Sequence, residues 1–289
     1  IMLNSGGPLA AQTVYPIRVQ YERFRDRCRE RGLVFFSTAE DEGSVALLDE
    51  VGTELHKVSS MNLTHRPLIE AMARSGRPLL ISTGASTLDE VREAVGWARA
   101  AGARDLALLH CVANYPLADA NANLRAMTVL AAAFPGIPVG WSDHTLAAES
   151  AGIAGAAVAL GARIIERHYS FDRHRPGYDH EISVDYELLA GWVRAIRRTE
   201  AALGSTTKAP AASEEKARRC ARRSIVAVRA IRAGETITAA MVAVKRPAGG
   251  LAPKELRRVI GAAAQQDIAA DALLMAENVA LLPEEKGNG

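Results

Sequence analysis

Cysteine is scarce in this 289-residue chain: Cys28, Cys111 and Cys220 are odd in number, far apart and without CxxC spacing. That excludes a disulfide framework and a zinc knuckle, and fits a reducing cytoplasm. Charge of one sign is also lacking. The formal net charge is +2, which gives no case for nucleic acid, and the local basic run from Lys216 to Arg223 is read as a solvated linker face. No run reaches the roughly 18 to 20 apolar residues that span a bilayer. Ala147 to Leu160 is apolar on most sides but too short, and is expected to be a buried helix. No signal peptide precedes the first helical stretch. A starting methionine is missing too: the chain opens on Ile1, and Ile1 to Pro8 have no element-like pattern. With 48% hydrophobic residues, what remains is an ordinary globular protein.

From residue 33 onward, apolar runs of four to seven residues alternate with longer helical stretches, the βα alternation of a parallel sheet or barrel. Strands are predicted at Leu33 to Ser37, Leu55 to Ser60, Pro78 to Thr83, Asp105 to Cys111, Pro138 to Ser142 and Arg163 to His168. The helices that follow are Ser44 to Val51, Pro67 to Ser75, Leu88 to Ala101, Asn123 to Phe134, Leu146 to Leu160 and Tyr186 to Leu203. An amphipathic helix over about Gln12 to Arg31 has no strand before it. Against a barrel of eight βα units in about 250 residues, two strands and one helix are unaccounted for, roughly 70 residues of N-terminal sequence. Residues 1–204 are therefore read as a partial (β/α) barrel of the TIM type and 205–221 as a linker. Residues 222–289 are read as a small β-rich domain. In that last part, strands are predicted at Ser224 to Val228, Val242 to Lys245, Val259 to Gly261 and Ala276 to Leu282, with Thr238 capping a short helix at Ala239 to Met241.

Chemistry in such a barrel sits beyond the C-terminal strand ends, and these ends are polar. Ser142-Asp143-His144 and Glu166-Arg167-His168 each place a polar residue and a histidine two positions apart. Residues two apart share a face, so adjacent parallel strands would bring Ser142, His144, Glu166 and His168 together. Two facing imidazoles suit a divalent transition metal, with Glu166 as a further ligand or as the acid/base group. Lys57, followed by Ser59, Ser60 and Asn62, has the makings of a phosphate or carboxylate cradle. Ser82 and Thr87 fit an ordinary turn into a helix. Spacing also directs His110 into the mouth, where it would either act or orient a neighbour. Tyr115 lies in a loop that could line the pocket. Asp179, in a turn-rich segment, either meets substrate hydroxyls or only starts a helix.

Taken together, Phe36-Ser37-Thr38, Lys57-Val58-Ser59-Ser60, Ile81-Ser82-Thr83-Gly84, His110-Cys111 with Tyr115-Pro116, Ser142-Asp143-His144-Thr145, Glu166-Arg167-His168 and Pro176-Gly177 with Asp179-His180 resemble the N-acetylneuraminate (sialic acid) synthase family, which includes legionaminic and pseudaminic acid synthases. The resemblance runs from about residue 33 to the C-terminus. In the tail, Arg222-Arg223-Ser224, Gly234 to Thr238 and Lys245-Arg246-Pro247 resemble the antifreeze-like (SAF) domain that closes these enzymes. The resemblance implies a cytoplasmic transferase that condenses phosphoenolpyruvate with an N-acetylated amino sugar, such as N-acetylmannosamine, into a nine-carbon 2-keto-3-deoxy acid and phosphate. It implies that His144 and His168 hold Mn²⁺ or another divalent ion such as Mg²⁺ or Co²⁺. It also implies that Thr38, Lys57, Ser60 and Ser142 grip phosphoenolpyruvate, that Glu166 handles charge or protons, and that Tyr115 and Asp179 meet the sugar. Arg246 would reach the N-acyl group from a neighbouring subunit, in a homodimer with exchanged small domains.

The family's opening strand, with a Glu and an Asn-His-Gly-type loop, and its second, with a Lys-Phe-Gln string, have no counterpart here. A truncated sequence is therefore expected, with two unpaired sheet edges. An Asn that some relatives carry stands one position later, at Asn114. Two other readings stay open: a synthase of a shorter 3-deoxy acid, and a catalytically silent carbohydrate-binding or scaffold protein. Neither nucleic acid nor membrane is expected as a partner.

Overall fold

The computed structural model describes residues 17–148, 150–176 and 178–283, which divide into two compact units at Gly204/Ser205. The first five residues of the helix expected from Gln12, and Gly177 of the turn-rich loop, lie outside the described residues.

In the first unit, α1 (Ile17–Glu30) and α2 (Glu42–Val51) precede β1 (His56–Val58). There follow α3 (Arg66–Arg74), β2 (Leu79–Ser82), α4 (Leu88–Ala100), β3 (Leu106–Cys111), α5 (Ala126–Ala133), β4 (Val139–Asp143), α6 (Ala151–Ala159), β5 (Ile165–Arg167) and α7 (Tyr186–Leu203). The strands pair in parallel in chain order, β1 to β5. Local chemistry explains the helix starts: the Asp41 side chain accepts from the Ser44 N–H ahead of α2, and Thr87 and Glu90 form a reciprocal capping box at α4. Val58, Leu79, Ile81, Leu106, Leu108, Val139 and Trp141 face the helices and join one hydrophobic core with Leu68, Ile69, Met72 and Val91. Each of the larger side chains contributes about 1.5–3 kcal/mol on burial.

The opposite face carries Lys57, Ser82, Cys111, Ser142 and Glu166 beside Leu80 and Leu109, and here the sheet shows its curvature. Laid flat, β1 and β5 would lie about 19 Å apart, four spacings of about 4.8 Å. Lys57 and Glu166 together span roughly 10 Å of side chain, yet Lys57 Nζ lies 3.5 Å from Glu166 Oε2. The five strands are therefore curled, as in a TIM-type β/α barrel, with that face inward.

The run Leu33 to Ser37 forms no strand. Phe35 is buried, and Thr38, the residue after the run, forms an isolated parallel bridge with Lys57. The helices expected from Asn123 and Leu146 begin later, at Ala126 and Ala151.

The second unit has α8 (Glu215–Ala221), exposed throughout, within the stretch read as linker, then the antiparallel pair β6 (Ser224–Ala227) and β7 (Val242–Lys245). Ile225, Ile237, Val259, Ala262, Ile268, Leu274 and Val279 fill its core. Two predicted strands are absent. Val259 closes a single helical turn, α9 (Leu256–Val259), and Ala276–Asn278 is a 3₁₀ turn, followed by one bridge from Val279 to Ala264. A buried apolar pair needs no ladder when a turn delivers it to the same core.

Candidate active site

The inner row is set by register. Cys111 stands opposite Ser142, and Ser142 opposite Glu166. The Ser142 hydroxyl donates to Glu166 Oε1 at 2.7 Å, while Lys57 Nζ, itself buried, donates to Ser82 Oγ at 2.7 Å and lies beside the other carboxylate oxygen. The Glu166 carboxylate is thus held from both sides. Ser82, which the sequence weighs as a turn residue, belongs to this cradle. Its signal was available: Ser82 lies two residues beyond Leu80 on the inward face.

Ser60 joins through the backbone of the next loop. The Gly84 N–H donates to Ser60 Oγ at 3.0 Å, and Cys111 Sγ lies 3.0 Å from the same oxygen. A Cβ on Gly84 would come within 2.8 Å of both Cys111 Sγ and Ser60 Oγ, so only glycine lets that N–H approach. Burial pushes the Cys111 thiol up, keeping it protonated. Asn62 turns away, donating to Glu40 Oε2 and Ser59 Oγ. Thr38 meets Lys57 through the backbone bridge.

Beyond the row, the imidazoles of His144 and His168 lie with ring centres 5.2 Å apart and planes at 77°. His144 Nδ1 is 2.8 Å from the Val112 carbonyl oxygen. A carbonyl only accepts, so Nδ1 carries the proton and Nε2 keeps its lone pair. His168 Nδ1 lies 3.3 Å from Asp179 Oδ2, which leaves its Nε2 free in the same way. Burial lowers the pKa of both rings, and that of His168 is lowered further by His144 beside it. The Tyr115 ring lies over His144 at 4.2 Å and 34°, and its hydroxyl is pushed up to about 12, chiefly by burial.

The donor set fits a divalent ion. Two neutral imidazoles each direct Nδ1 to an oxygen acceptor, the outer contact that orients a metal-binding histidine. Among the described residues, no three or more His, Cys, Asp and Glu side chains are grouped to hold a metal, so any ion here would complete its coordination from solvent or substrate.

His110 is not in the mouth. It follows Leu106 and Leu108 on the helix-facing side, where Nε2 contacts the Ala122 carbonyl at 3.1 Å and the ring packs on Trp141. Arg246 is exposed on the second unit, just after β7.

Residues 12–208 match the NeuB family, about two thirds of the chain, and residues 222–280 match the SAF domain. The chain belongs to the NeuB family. It is 36% identical over 273 residues to the spore coat polysaccharide biosynthesis protein SpsE of Bacillus subtilis, covering 89% of this chain and 73% of that one. To the N,N'-diacetyllegionaminic acid synthase of Legionella pneumophila it is 36% identical over 252 residues, 86% of this chain and 70% of the other. In structure it is similar to the N-acetylneuraminic acid synthetase of Leptospira borgpetersenii, with a TM-score of 0.64 and 34% identity, covering 69% of this chain and 68% of that one. This NeuB-family protein is accordingly an enzyme of the synthase type, in carbohydrate biosynthesis. None of its described helices is long and apolar enough to cross a membrane.

Proposed function

We propose that this NeuB-family enzyme condenses phosphoenolpyruvate with the open-chain aldehyde of an N-acylated amino sugar, giving a nine-carbon 2-keto-3-deoxy acid and inorganic phosphate. One observation carries the reading: a buried lysine, a serine and a carboxylate share hydrogen-bonding contact on one inward row, directly below two neutral histidines.

Lys57, Ser82, Ser60 and Ser142 supply one ammonium and three hydroxyls, donors matched to a phosphate and a carboxylate. Thr38, bridged to Lys57, borders the same cradle. Glu166 is fixed by Ser142 and Lys57 on the row below the histidines. There it can stabilise positive charge developing at the enol ether carbon of phosphoenolpyruvate and take a proton from the water that adds to it. Loss of phosphate from that adduct leaves the 2-keto group, so water, phosphoenolpyruvate and aldehyde balance against keto acid and phosphate. His144 and His168 would hold Mn²⁺ or a similar ion, which when bound polarises the aldehyde oxygen as a Lewis acid. Tyr115 and Asp179, next to the two rings, are placed to meet the sugar. The same reading gives Arg246 the N-acyl group of a sugar in a second subunit, in a homodimer with exchanged small units.

The test is phosphate release from phosphoenolpyruvate with Mn²⁺ and a panel of N-acyl amino sugars, with the product identified by mass. Phosphate and a nine-carbon acid formed in equal amounts, with one sugar preferred, is the expected result. Binding of phosphoenolpyruvate with no turnover on any sugar would overturn it.

A further inference from the structure

The two site motifs alternate in direction. Ser142 and His144, like Glu166 and His168, face the barrel interior, so Asp143 and Arg167 point outward between them, and register sets Asp143 directly opposite Arg167. Their side chains are 0% and 2% exposed, with Arg167 Nη1 2.9 Å from Asp143 Oδ1. This pair is more than a cross-strand tie. The Arg167 guanidinium donates to the carbonyls of Asp143, at 3.1 Å, and of Thr145, the residues on either side of His144. It also donates at 2.8 Å to the carbonyl of Ile182, beyond the segment that carries Asp179. Asp143 Oδ1 in turn accepts from the Thr145 N–H at 2.9 Å and the Thr145 hydroxyl at 2.7 Å. The His144 carbonyl accepts from the Leu117 N–H, which ties the same backbone to the loop of Tyr115.

Stability does not explain this arrangement. Among the described residues, Asp143 Oδ2 and Arg167 Nε are buried without a hydrogen-bond partner, and each such atom costs stability. A buried ion pair gains little over a well-packed apolar pair of the same volume. What a guanidinium does, and two apolar side chains do not, is donate to three carbonyls from one rigid planar fork.

We infer that Asp143 and Arg167 are positioning residues: one outward clamp sets where His144, and through the Ile182 segment Asp179 and His168, stand in the site. The inference rests on the proposed two-histidine metal site, and the clamp predicts a property of the rings even without metal. With the guanidinium in place, the backbone on both sides of His144 is pinned and Nδ1–H meets the Val112 carbonyl. Without it, the ring samples other rotamers and both tautomers. Partners that orient metal-binding histidines typically change metal affinity by 10- to 100-fold when removed.

The experiment compares the full chain with Asp143→Leu/Arg167→Met, which keeps apolar volume, and with Arg167→Lys, which keeps the charge but loses the planar fork. Three quantities are read without substrate: thermal midpoint, Mn²⁺ affinity from the resonance of free Mn²⁺, and the ¹⁵N shifts of the histidine rings. The expected result is a double variant that still folds but melts below the parent, binds Mn²⁺ at least tenfold more weakly, and shows averaged ¹⁵N shifts for His144 where the parent shows a protonated Nδ1. Mn²⁺ affinity within twofold of the parent, with the His144 tautomer retained, overturns the clamp. If the double variant fails to fold, Arg167→Lys decides by the same two readings. If the parent itself binds no Mn²⁺, the metal reading fails alone, and the His144 tautomer in the variants still decides the clamp.

Discussion

Gly140, the second residue of β4, leaves the site geometry open to disruption by a single added methyl group. A Cβ there would lie 2.3 Å from the Ile164 carbonyl oxygen, 2.6 Å from Leu109 Cδ2 and 2.8 Å from Ile164 Cβ. Leucine can turn aside, but the backbone carbonyl of the next strand cannot, and an ordinary contact at that position needs about 3.4 Å. In Gly140→Ala, β4 and β5 must therefore part locally by about 1 Å. That also strains the Trp141 N–H to Ile164 carbonyl bond, now 2.9 Å. Two residues along, the Ser142 to Glu166 bond of 2.7 Å would open by a comparable amount, beyond hydrogen-bond reach. The expected cost is about 2–4 kcal/mol of stability, from overpacking plus a weakened ladder bond. Misplacing a reacting group by about 1 Å costs turnover on the order of 100-fold. Urea unfolding reads the first, and phosphate release at saturating phosphoenolpyruvate reads the second. An alanine variant within about 0.5 kcal/mol of the parent that retains full turnover would refute the reasoning, because β5 would then have room that the close approach denies it.

Other perturbations separate the remaining roles. Lys57→Met takes the cation from beside Glu166, which keeps its bond from Ser142; it should destabilise the fold by about 3 kcal/mol and abolish phosphoenolpyruvate binding by calorimetry, and retained binding would remove Lys57 from the cradle. His144→Ala or His168→Ala should eliminate Mn²⁺-dependent phosphate release, and unchanged turnover would dismiss the metal site. Burial holds His56 and His110 below the ordinary imidazole value of about 6.5, so the unfolded chain binds more protons than the folded one as the pH falls. The stability they contribute is complete above about pH 6.5 and is lost on acidification, so the thermal midpoint should drop between about pH 7 and 5, with a shallower slope in His110→Leu. An identical slope in that variant would contradict the assignment. Arg246→Ala should weaken amino-sugar binding and leave phosphoenolpyruvate binding intact, whereas loss of both would point to misfolding.

The inward row was legible because strand alternation is rigid: once Cys111 and Ser142 face inward, their neighbours two positions away must follow. The same rule, applied to Leu106, Leu108 and His110, would have sent His110 to the helices. Nearness to the strand end suggests the mouth, but parity along the strand decides the face. Leu33 to Ser37 has the apolar character of a strand, but a strand is defined by its ladder, and the bridge to Lys57 falls at Thr38, just past this run. In the small unit, Val259 closes a helical turn and Val279 follows a 3₁₀ turn into an isolated bridge, so β-branched character misled where the packing target was a compact core.

The barrel reading implies a curled sheet, but not how closely the curl brings its first and last strands together, and that distance decides the chemistry. Nothing in the spacing of Lys57 and Glu166 along the chain shows that strands four apart bring an ammonium within 3.5 Å of a carboxylate. That contact also sets how the proposed reaction begins. Before substrate arrives, Lys57 is shared between Ser82 and Glu166, so the cradle is close to neutral and its donors are already oriented. A phosphate or carboxylate entering the cradle competes with Glu166 for the ammonium, while Ser82 keeps the lysine in line. Ser142 then holds a carboxylate with one oxygen released, on the row below the two histidines, where the proposed mechanism needs a base. On the proposed mechanism, the residue that would grip the anion is also the one that restrains the base, so binding the first substrate would free the group that the second step requires.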